Sequence, residues 1–576
     1  MKAVAAVFVL AQVLAQINGD VHYVKLRQEP NDDHSCIILV DEAIPKFRGF
    51  ATDDENELKI FMKNAVQGPA DSKLAIYDNA KIIEIFARKE SIAQAHIDVL
   101  CNSKDYVKDL KVTTGVHAPE IVKIIDGGDQ RNRIDVVFMG DGYQEAERQE
   151  FFDDMTRLTQ DMFEGTTFRS YLPVFNIWAI YEASVDSGIG YNSRAKNTPF
   201  RLYREGNTLR GIFPGNSAHA REVCRLTGTS GCDYPSIIGN DDFYGGLGGE
   251  FVISTRSNRT GTVVLRHEMG HNFVDVGEEY DNGQVYSGVN AARTVAGLGW
   301  KAWLSGEQKE ELAVYRLAEY PWADLANGAQ TFRFTSDGKF KRWYLIVSVS
   351  AAGEADSLEF VLDGVALPWQ SRGFDDREFY DWYGSEGLSS GSHTFTVRSK
   401  TQSTHPQIPR MICSVNLHEF GTEDEFHMDN DYVSAYPTFD IYGRKTFRPT
   451  NAGCLMRNMT HQSFCPVCQE GMWMQFLQRI SIIDSVNVSS VANPDGTKDV
   501  TLNTLKLGAL RPERNAVAGE TLEVKWSRGG VEREDLRNLF TIQAQPGSWT
   551  VAVNFTTPEI RSDPSGLTRE TSNFTV

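Results

Sequence analysis

The stretch that decides the fold is Thr262-Val-Val-Leu-Arg-His-Glu-Met-Gly-His-Asn-Phe-Val-Asp-Val-Gly-Glu-Glu-Tyr280. It follows a strand pattern, Phe251-Val-Ile-Ser-Thr255, and its first half has the apolar spacing of a helix. His267 and His271 are four residues apart, so a helix places both imidazoles on one face, about one turn apart. Two imidazoles so placed can bind one metal ion, and Glu268 between them can take a proton from a water molecule beside it.

The metal that this pattern favours is zinc, which keeps three protein ligands and one open position at a catalytic site. The sequence predicts that the helix continues about one turn beyond His271 and breaks at Gly277. Beyond the break, Glu278 is the first choice for the third ligand and Glu279 is the second. Asp275 is the third choice, because three ligands spaced by four residues spread over about 12 Å along a helix axis.

The surrounding segments predict an α/β unit. A buried strand is expected at Ile134–Met139, a helix from Glu145 to about Phe163, and a second strand at Val174–Ile180. The rest of the chain has mostly β patterns. We therefore expect a multidomain α+β protein with a β-rich N-terminal domain at 20–125, a catalytic domain in two parts at 126–317 and 405–483, a β-sandwich-like domain inserted at 318–404, and a C-terminal β-sandwich-like domain at 484–576.

Composition excludes several classes of function. The 576 residues carry 58 Lys and Arg against 77 Asp and Glu, a net charge of −19, which argues against binding to nucleic acids or anionic membranes. The first apolar run follows Met1-Lys2 and is too short to span a bilayer, so residues 1–19 are predicted to be a secretory signal peptide. No later run is long enough to span a membrane, and we expect a secreted, extracellular protein.

The cysteines and glycosylation motifs agree with secretion. The eight cysteines, an even number, predict structural disulfides. Cys465-Pro-Val-Cys468 could instead be half a zinc site or a redox motif, but no second pair has zinc-finger spacing. The Asn-x-Ser/Thr motifs that predict a glycoprotein are at Asn258, Asn458, Asn487, Asn554 and Asn573.

Three segments together carry a family resemblance. His267-Glu-Met-Gly-His-Asn-Phe-Val-Asp-Val-Gly-Glu-Glu-Tyr280 resembles the active-site signature of the IgA-peptidase-type metallopeptidase family. Arg133-Ile-Asp-Val-Val-Phe-Met-Gly-Asp-Gly-Tyr143 resembles the opening strand of that family's catalytic domain. Cys454-Leu-Met-Arg457 with Phe464-Cys-Pro-Val-Cys468 resembles its downstream segment. The resemblance implies a metzincin-like zinc-peptidase core.

The resemblance also implies roles for single residues. Met456 corresponds to the methionine turn beneath the metal, and the strand Phe251–Thr255 to an edge strand that binds an extended peptide. The nearby Gly245–Gly249 segment is either a substrate-contacting loop or a flexible linker. Two features depart from the family: Glu278 stands where Asp is associated with it, and the insert separates the helix from the methionine turn.

Together these observations predict a secreted, monomeric zinc endopeptidase acting on protein or peptide substrates. Glu268 is the expected general base and then general acid, with His267, His271 and Glu278 as zinc ligands. One alternative is a catalytically silent adhesive or glycan-binding protein on a protease scaffold, since the two sandwich-like domains could contact glycans. The other is a zinc amidase acting on glycopeptide or cell-wall substrates.

Overall fold

The computed structural model describes residues 21–29, 35–44, 46–50, 54–67, 80–101, 118–228, 230–283, 287–403 and 405–576. The predicted signal peptide at 1–19 lies outside these residues. The described chain is β-rich, with few helices and several separate sheets, as expected for a multidomain α+β protein. None of its helices is long and apolar enough to cross a membrane.

The N-terminal region is an antiparallel sheet with one helix against it. Its strands run in the order β2-β1-β5-β3, and six of the seven residues of the inner strand β5 are buried. Ala93 and Ile97 of the helix are buried against this sheet. The elements are β1 (Val21–Gln28), β2 (Cys36–Ile44), β3 (Leu58–Asn64), β4 (Val66–Gln67), β5 (Lys81–Ala87) and α1 (Glu90–Leu100).

The predicted α/β unit contains a five-stranded sheet in the order β13-β11-β7-β8-β6, parallel except for β6. All eight residues of β7 are buried, as expected for a central parallel strand. The strands are β6 (Glu120–Ile125), β7 (Ile134–Asp141), β8 (Phe175–Tyr181), β9 (Leu202–Arg204), β10 (Ile212–Pro214), β11 (Tyr234–Gly239), β12 (Gly248–Gly249) and β13 (Val252–Thr255). The helices are α2 (Arg148–Thr159), extended by a π-turn at Gln160–Glu164, α3 (Ser217–Cys224) and α4 (Gly261–Phe273).

Helix α4 carries the motif and lies in the interior, with 12 of its 13 residues buried. The prediction that this helix continues to Gly277 is wrong, because it ends at Phe273 and Val274 is already extended, with φ −149° and ψ 154°. Packing explains the early end. In the extended conformation both Val274 and Val276 reach the hydrophobic core, where they are 4% and 2% exposed.

The inserted region consists of two antiparallel sheets that share one hydrophobic core. One sheet has the order β14-β22-β17-β20, with β15 beside β22, and the other has the order β16-β21-β18-β19. The predicted insert, 318–404, begins inside β14, the first of these strands along the chain, and ends before β22, the last of them. The strands are β14 (Ala313–Glu319), β15 (Ala323–Asp324), β16 (Gln330–Ser336), β17 (Arg342–Val349), β18 (Leu358–Leu362), β19 (Val365–Ala366), β20 (Glu378–Gly384), β21 (Gly391–Ser399) and β22 (Met411–Phe420).

The chain then returns to the core and ends in two further sheets, in the orders β25-β26-β29 and β28-β27-β30-β31. Their apolar residues join the core through α5, where the rings of Trp473 and Phe555 lie 5.1 Å apart. The elements are β23 (Tyr436–Phe439), β24 (Lys445–Arg448), α5 (Pro466–Arg479), β25 (Ile483–Val488), β26 (Lys498–Thr504), β27 (Thr521–Arg528), β28 (Val531–Glu532), β29 (Thr541–Ala544), β30 (Ser548–Thr556) and β31 (Arg569–Thr575). The division of the chain into domains stays a prediction.

The disulfide prediction is confirmed for two pairs, Cys36–Cys101 and Cys224–Cys232. It is wrong for the cysteines near the predicted methionine turn. Cys454, Cys465 and Cys468 are free, buried thiols. Their sulfur atoms converge without bonding, with Sγ–Sγ distances of 3.6 Å from Cys465 to Cys468 and 3.8 Å from Cys454 to Cys468.

Candidate metal centre

The two histidines of α4 point the same ring nitrogen toward a common point. His267 Nδ1 lies 3.3 Å from the carbonyl oxygen of Leu455, and His271 Nδ1 lies 3.1 Å from that of Val276. A carbonyl oxygen only accepts hydrogen bonds, so each Nδ1 carries a proton, and in the neutral imidazole each Nε2 has a free lone pair. This is the tautomer in which both Nε2 atoms can bind a metal ion.

Glu278 completes the group. One of its carboxylate oxygens lies 3.3 Å from His267 Nε2 and the other lies 3.2 Å from His271 Nε2. A tetrahedral zinc ion with bonds of about 2.0–2.1 Å holds its ligand atoms about 3.3–3.4 Å apart, so the spacing fits such an ion. The structure thus brings the three first-choice ligands together, with ligand atoms all within 4.8 Å of one another. Of the other choices, Glu279 belongs to a different group and Asp275 is exposed.

Burial and charge act against each other in this group. Burial opposes the charge on Glu278, but the two histidines outweigh it and hold the pKa of that carboxyl well below its usual value. Burial likewise opposes charge on His267, but the Glu278 carboxylate outweighs it and raises the pKa of the imidazole to about 9. The three side chains therefore stabilise positive charge between them. A divalent cation supplies that charge.

Glu268 is not part of the ligand group and faces a cleft. Burial raises the pKa of its carboxyl to about 6, which suits a general base at neutral pH. Glu268 and His267 line the cleft, which has a volume of about 410 Å³. Strands of the insert form much of the opposite wall through Tyr344, Ile346, Phe379, Asp381, Asn416 and His418. The insert therefore shapes access to the cleft.

Met456 packs against helix α4 at Gly270, between the two histidines in sequence, and its role as a methionine turn stays a prediction. A Cβ atom at Gly270 would lie 2.9 Å from Met456 Cε and 2.6 Å from the ring of Phe464, so only glycine allows this close approach. The backbone oxygen of Met456 accepts a hydrogen bond from the N–H of Glu279 at 3.1 Å. The turn at Met456 thus supports both the helix and the segment that carries Glu278.

Asn290 holds that segment from the other side and was missed from the sequence. Its Nδ2 donates to the carbonyl oxygen of Gly277 at 2.9 Å and to Glu279 Oε1 at 2.7 Å, and its Oδ1 accepts from the N–H of Gly277 at 2.7 Å. These contacts fix the backbone of Gly277 before Glu278 and the side chain of Glu279 after it. A lone asparagine 12 residues downstream of that glutamate carries no recognisable signal.

A second missed network lies in the cleft wall. Asp281 Oδ2 lies 2.6 Å from His418 Nε2 and accepts a hydrogen bond from Arg457 at 2.9 Å. Arg457 also donates to the carbonyl oxygen of Glu279 at 2.8 Å. Burial opposes charge on Asp281, but Arg457 and His418 outweigh it and hold the pKa of its carboxyl well below the usual value. The network joins residues up to 178 positions apart, a separation at which sequence spacing gives no signal.

The prediction that Phe251–Thr255 offers a free strand edge to the substrate is wrong for the middle of that strand. Strand β13 is the last strand of its sheet, but Leu247 covers its outer side. The N–H and C=O of Ile253 bond to the C=O and N–H of Leu247 at 2.8 and 3.0 Å. The adjoining Gly248–Gly249 pairs with Val66–Gln67 of the N-terminal region, so the glycine segment is built into the fold.

Comparison with known families identifies the segment that carries this geometry. Residues 122–294 match the IgA Peptidase M64 family. The family resemblance predicted from the sequence is thereby confirmed, and the M64 match supports a peptidase. It contains α4 and Glu278 and ends before the insert. No curated protein matches the chain in sequence.

Solved structures that resemble parts of the chain do so weakly. A ruminal GH26 endo-beta-1,4-mannanase is 15% identical over 20% of this chain and 22% of its own, with a TM-score of 0.14. A family 35 carbohydrate binding module from Clostridium thermocellum is 9% identical over 18% of this chain and 90% of its own, with a TM-score of 0.13. A carbohydrate binding module of Cellvibrio mixtus lichenase 5A, in complex with cellotriose, is 13% identical over 18% of this chain and 73% of its own, with a TM-score of 0.12. Likeness at this level supports no conclusion about ligands, and glycan contact stays a prediction.

Proposed function

We propose that this protein is a secreted zinc-dependent endopeptidase with a metzincin-like core. The observation that carries the proposal is the convergence of His267 Nε2, His271 Nε2 and the Glu278 carboxylate, with ligand atoms within 4.8 Å of one another, beside the separate carboxylate of Glu268. The M64 match over the same segment supports a peptidase. Secretion rests on the signal-peptide pattern at 1–19 and on the two disulfides.

The chemistry assigns one role to each side chain. His267, His271 and Glu278 would hold the zinc ion, which would supply a Lewis acid at the scissile carbonyl and lower the pKa of a nearby water molecule. Glu268 accepts the proton of the attacking water and then gives it to the leaving amine. Its pKa, raised by burial to about 6, lets one carboxyl act in both directions near neutral pH. Water attacks the peptide directly, so no acyl-enzyme forms.

The cleft wall suggests how a peptide is held. Aromatic side chains at Tyr280, Tyr320 and Phe379 line the cleft and can pack against apolar side chains of a substrate. The guanidinium of Arg457 lines it too and can donate to a substrate carbonyl. The ligand group and general base together favour hydrolysis over a silent adhesive or glycan-binding role. No feature of the cleft favours cell-wall amides over peptides.

Replacing Glu268 by Ala tests this proposal. The variant should keep its zinc, measured by elemental analysis, because Glu268 is not a ligand. Its hydrolysis of casein should fall by at least about 10²-fold, since general acid–base catalysis contributes about 10²–10⁴-fold. The matched control is Glu222→Gln, a buried glutamate on α3 bonded to His219, which should hydrolyse at the wild-type rate. Casein hydrolysis by Glu268→Ala at the wild-type rate would overturn the mechanism.

A further inference from the structure

A second buried group of ligand-type side chains lies next to the first. The sulfur atoms of Cys454, Cys465 and Cys468 and a carboxylate oxygen of Glu279 all lie within 4.8 Å of one another. The cysteines are 0% exposed and Glu279 is 1% exposed. The peptidase chemistry uses none of these four side chains.

The four residues come from three separate parts of the fold. Cys454 begins the turn that leads to Met456, and Glu279 lies on the extended segment beyond α4. Cys465 caps the N-terminus of α5, and Cys468 is in the first turn of that 14-residue helix. The positive end of the helix dipole stabilises thiolates at this position, and thiolates are the form in which cysteine binds metals.

One carboxylate oxygen of Glu279 lacks a hydrogen-bond partner in the described part of the chain, which is an independent indication of a bound cation. Its Oε1 accepts a hydrogen bond from Asn290 at 2.7 Å, but its Oε2 is buried with no hydrogen-bond partner among the described residues. Leaving such an oxygen unpaired destabilises the fold, and more so when the group is charged. A cation bound between Glu279 and the three sulfurs would satisfy this oxygen.

The sulfur positions fit a metal better than a disulfide. Tetrahedral zinc with Zn–S bonds of about 2.3 Å separates its sulfur ligands by about 3.8 Å. The two measured Sγ–Sγ distances that meet at Cys468 are 3.6 and 3.8 Å. A disulfide would use two of the three thiols and leave the third, together with the Glu279 oxygen, without a partner. Three thiolates and one carboxylate match the four ligands of a closed structural zinc site.

We infer that Cys454, Cys465, Cys468 and Glu279 bind a second, structural zinc ion beneath the peptidase centre. This ion would fix the segments that form the first centre. Leu455, next to Cys454, accepts the Nδ1 hydrogen bond of His267, and Glu279 is adjacent to Glu278. The inference does not depend on the peptidase activity.

X-ray absorption at the zinc edge, recorded on the protein supplied with Zn²⁺, tests whether the cysteine group binds zinc. The variant His267→Ala/His271→Ala removes the first centre, so the remaining zinc should show about three sulfur ligands at about 2.3 Å and one oxygen. If this variant does not fold, wild-type protein answers the question, since only the second centre supplies sulfur ligands. Elemental analysis should give two zinc ions per wild-type chain and one in the double variant.

Alkylation of the zinc-loaded protein followed by mass spectrometry provides the second readout. Cys454, Cys465 and Cys468 should react only after a chelator is added, and Cys465→Ser should bind one zinc fewer than wild type. Cys413→Ser is the matched control, because Cys413 is a buried cysteine outside the cluster and its replacement should leave the zinc content unchanged. A disulfide between any two of the three cysteines, or the absence of sulfur-bound zinc after loading, would overturn the inference.

Discussion

Two neighbouring glutamates belong to two different groups of buried ligand-type side chains. Glu278 faces two imidazoles, and Glu279 faces three thiols, because successive residues of an extended segment point to opposite sides. The histidine group adjoins the cleft, which His267 and Glu268 line. The cysteine group supplies none of the residues found to line it. Both groups consist of buried side chains of the ligand type, so burial alone does not distinguish them. A catalytic centre also needs access to a cleft and a general base nearby, and a structural centre needs neither.

The strongest way to separate the two groups is to remove the histidines. His267→Ala/His271→Ala should lower casein hydrolysis by at least about 10³-fold, because the metal contributes several kcal/mol of transition-state stabilisation. Zinc content should fall by one equivalent, measured by elemental analysis, while the sulfur-bound zinc stays. Hydrolysis that survives this change would mean that the histidine group is not the catalytic centre.

The adjacent glutamates offer a matched pair. Glu278→Gln removes a ligand of the first centre and should lower hydrolysis at fixed zinc by about 10²-fold, since even residues behind metal ligands change affinity or activity by about 10–100-fold. Glu279→Gln should lower it by less than tenfold, because that side chain faces the cysteines. Casein hydrolysis by each of the two variants is measured over a range of zinc concentrations. A reversed order would assign the third ligand to Glu279, and equal effects would contradict the separate roles of the two glutamates.

Replacing Asn290 should have a smaller effect than replacing Glu278, and it should affect both the histidine group and the cysteine group. Asn290→Ala removes the hydrogen bonds to Gly277 and Glu279, so the segment that carries both glutamates loosens. We expect about tenfold weaker zinc binding at the histidine centre, measured by competition with a chromogenic chelator. Asn282→Ala, a nearby surface-loop asparagine whose side chain contacts Ala318, is the control and should bind zinc normally. Unchanged affinity in the Asn290 variant would contradict its supporting role.

The far end of α5 tests whether stability can be lowered without affecting either group. Arg479 donates to Glu84 of β5 at 2.7 and 3.1 Å. Burial opposes charge on Glu84, but Arg479 outweighs it and holds the pKa of the carboxyl below its ordinary 4.5. The folded state therefore binds fewer protons than the unfolded state, so the stabilisation is complete above pH 4.5 and is lost as the pH falls below it.

Glu84→Gln should lower the unfolding temperature at pH 7, because breaking a buried pair costs about 3–5 kcal/mol. The difference from wild type should narrow as the pH falls from about 5 to about 3, which differential scanning calorimetry measures. The specific activity of folded protein should not change. A difference that is independent of pH would show that the pair does not stabilise the fold through charge.

Much of the histidine centre could be predicted because helix geometry makes spacing informative. The four-residue spacing of His267 and His271 brings their rings together in an α-helix, and Glu278 lies within reach once the helix ends. The end itself was predicted one turn too late. Burial of Val274 and Val276 in the core favours the extended conformation there, and a local pattern does not show what its residues pack against.

The parts that could not be predicted depend on contacts between distant residues. Leu247 covers Ile253 through a backbone pairing that side-chain patterns do not encode. Cys454 meets Cys465 and Cys468 only after the chain has folded around them, and their number alone suggested cross-links. The link of Asp281 to His418 spans 137 positions. Each of these features depends on the tertiary structure, and only the Cys465–Cys468 spacing gave a partial signal of it in the sequence.

The most direct test of the account is a crystal structure of the zinc-loaded protein with anomalous scattering recorded at the zinc edge. The account predicts a peak within bonding distance of His267 Nε2, His271 Nε2 and Glu278, with Glu268 beside it and unliganded. Absence of that peak, or a zinc ion in the cleft bound by Glu279 or Asp275 in place of Glu278, would contradict it.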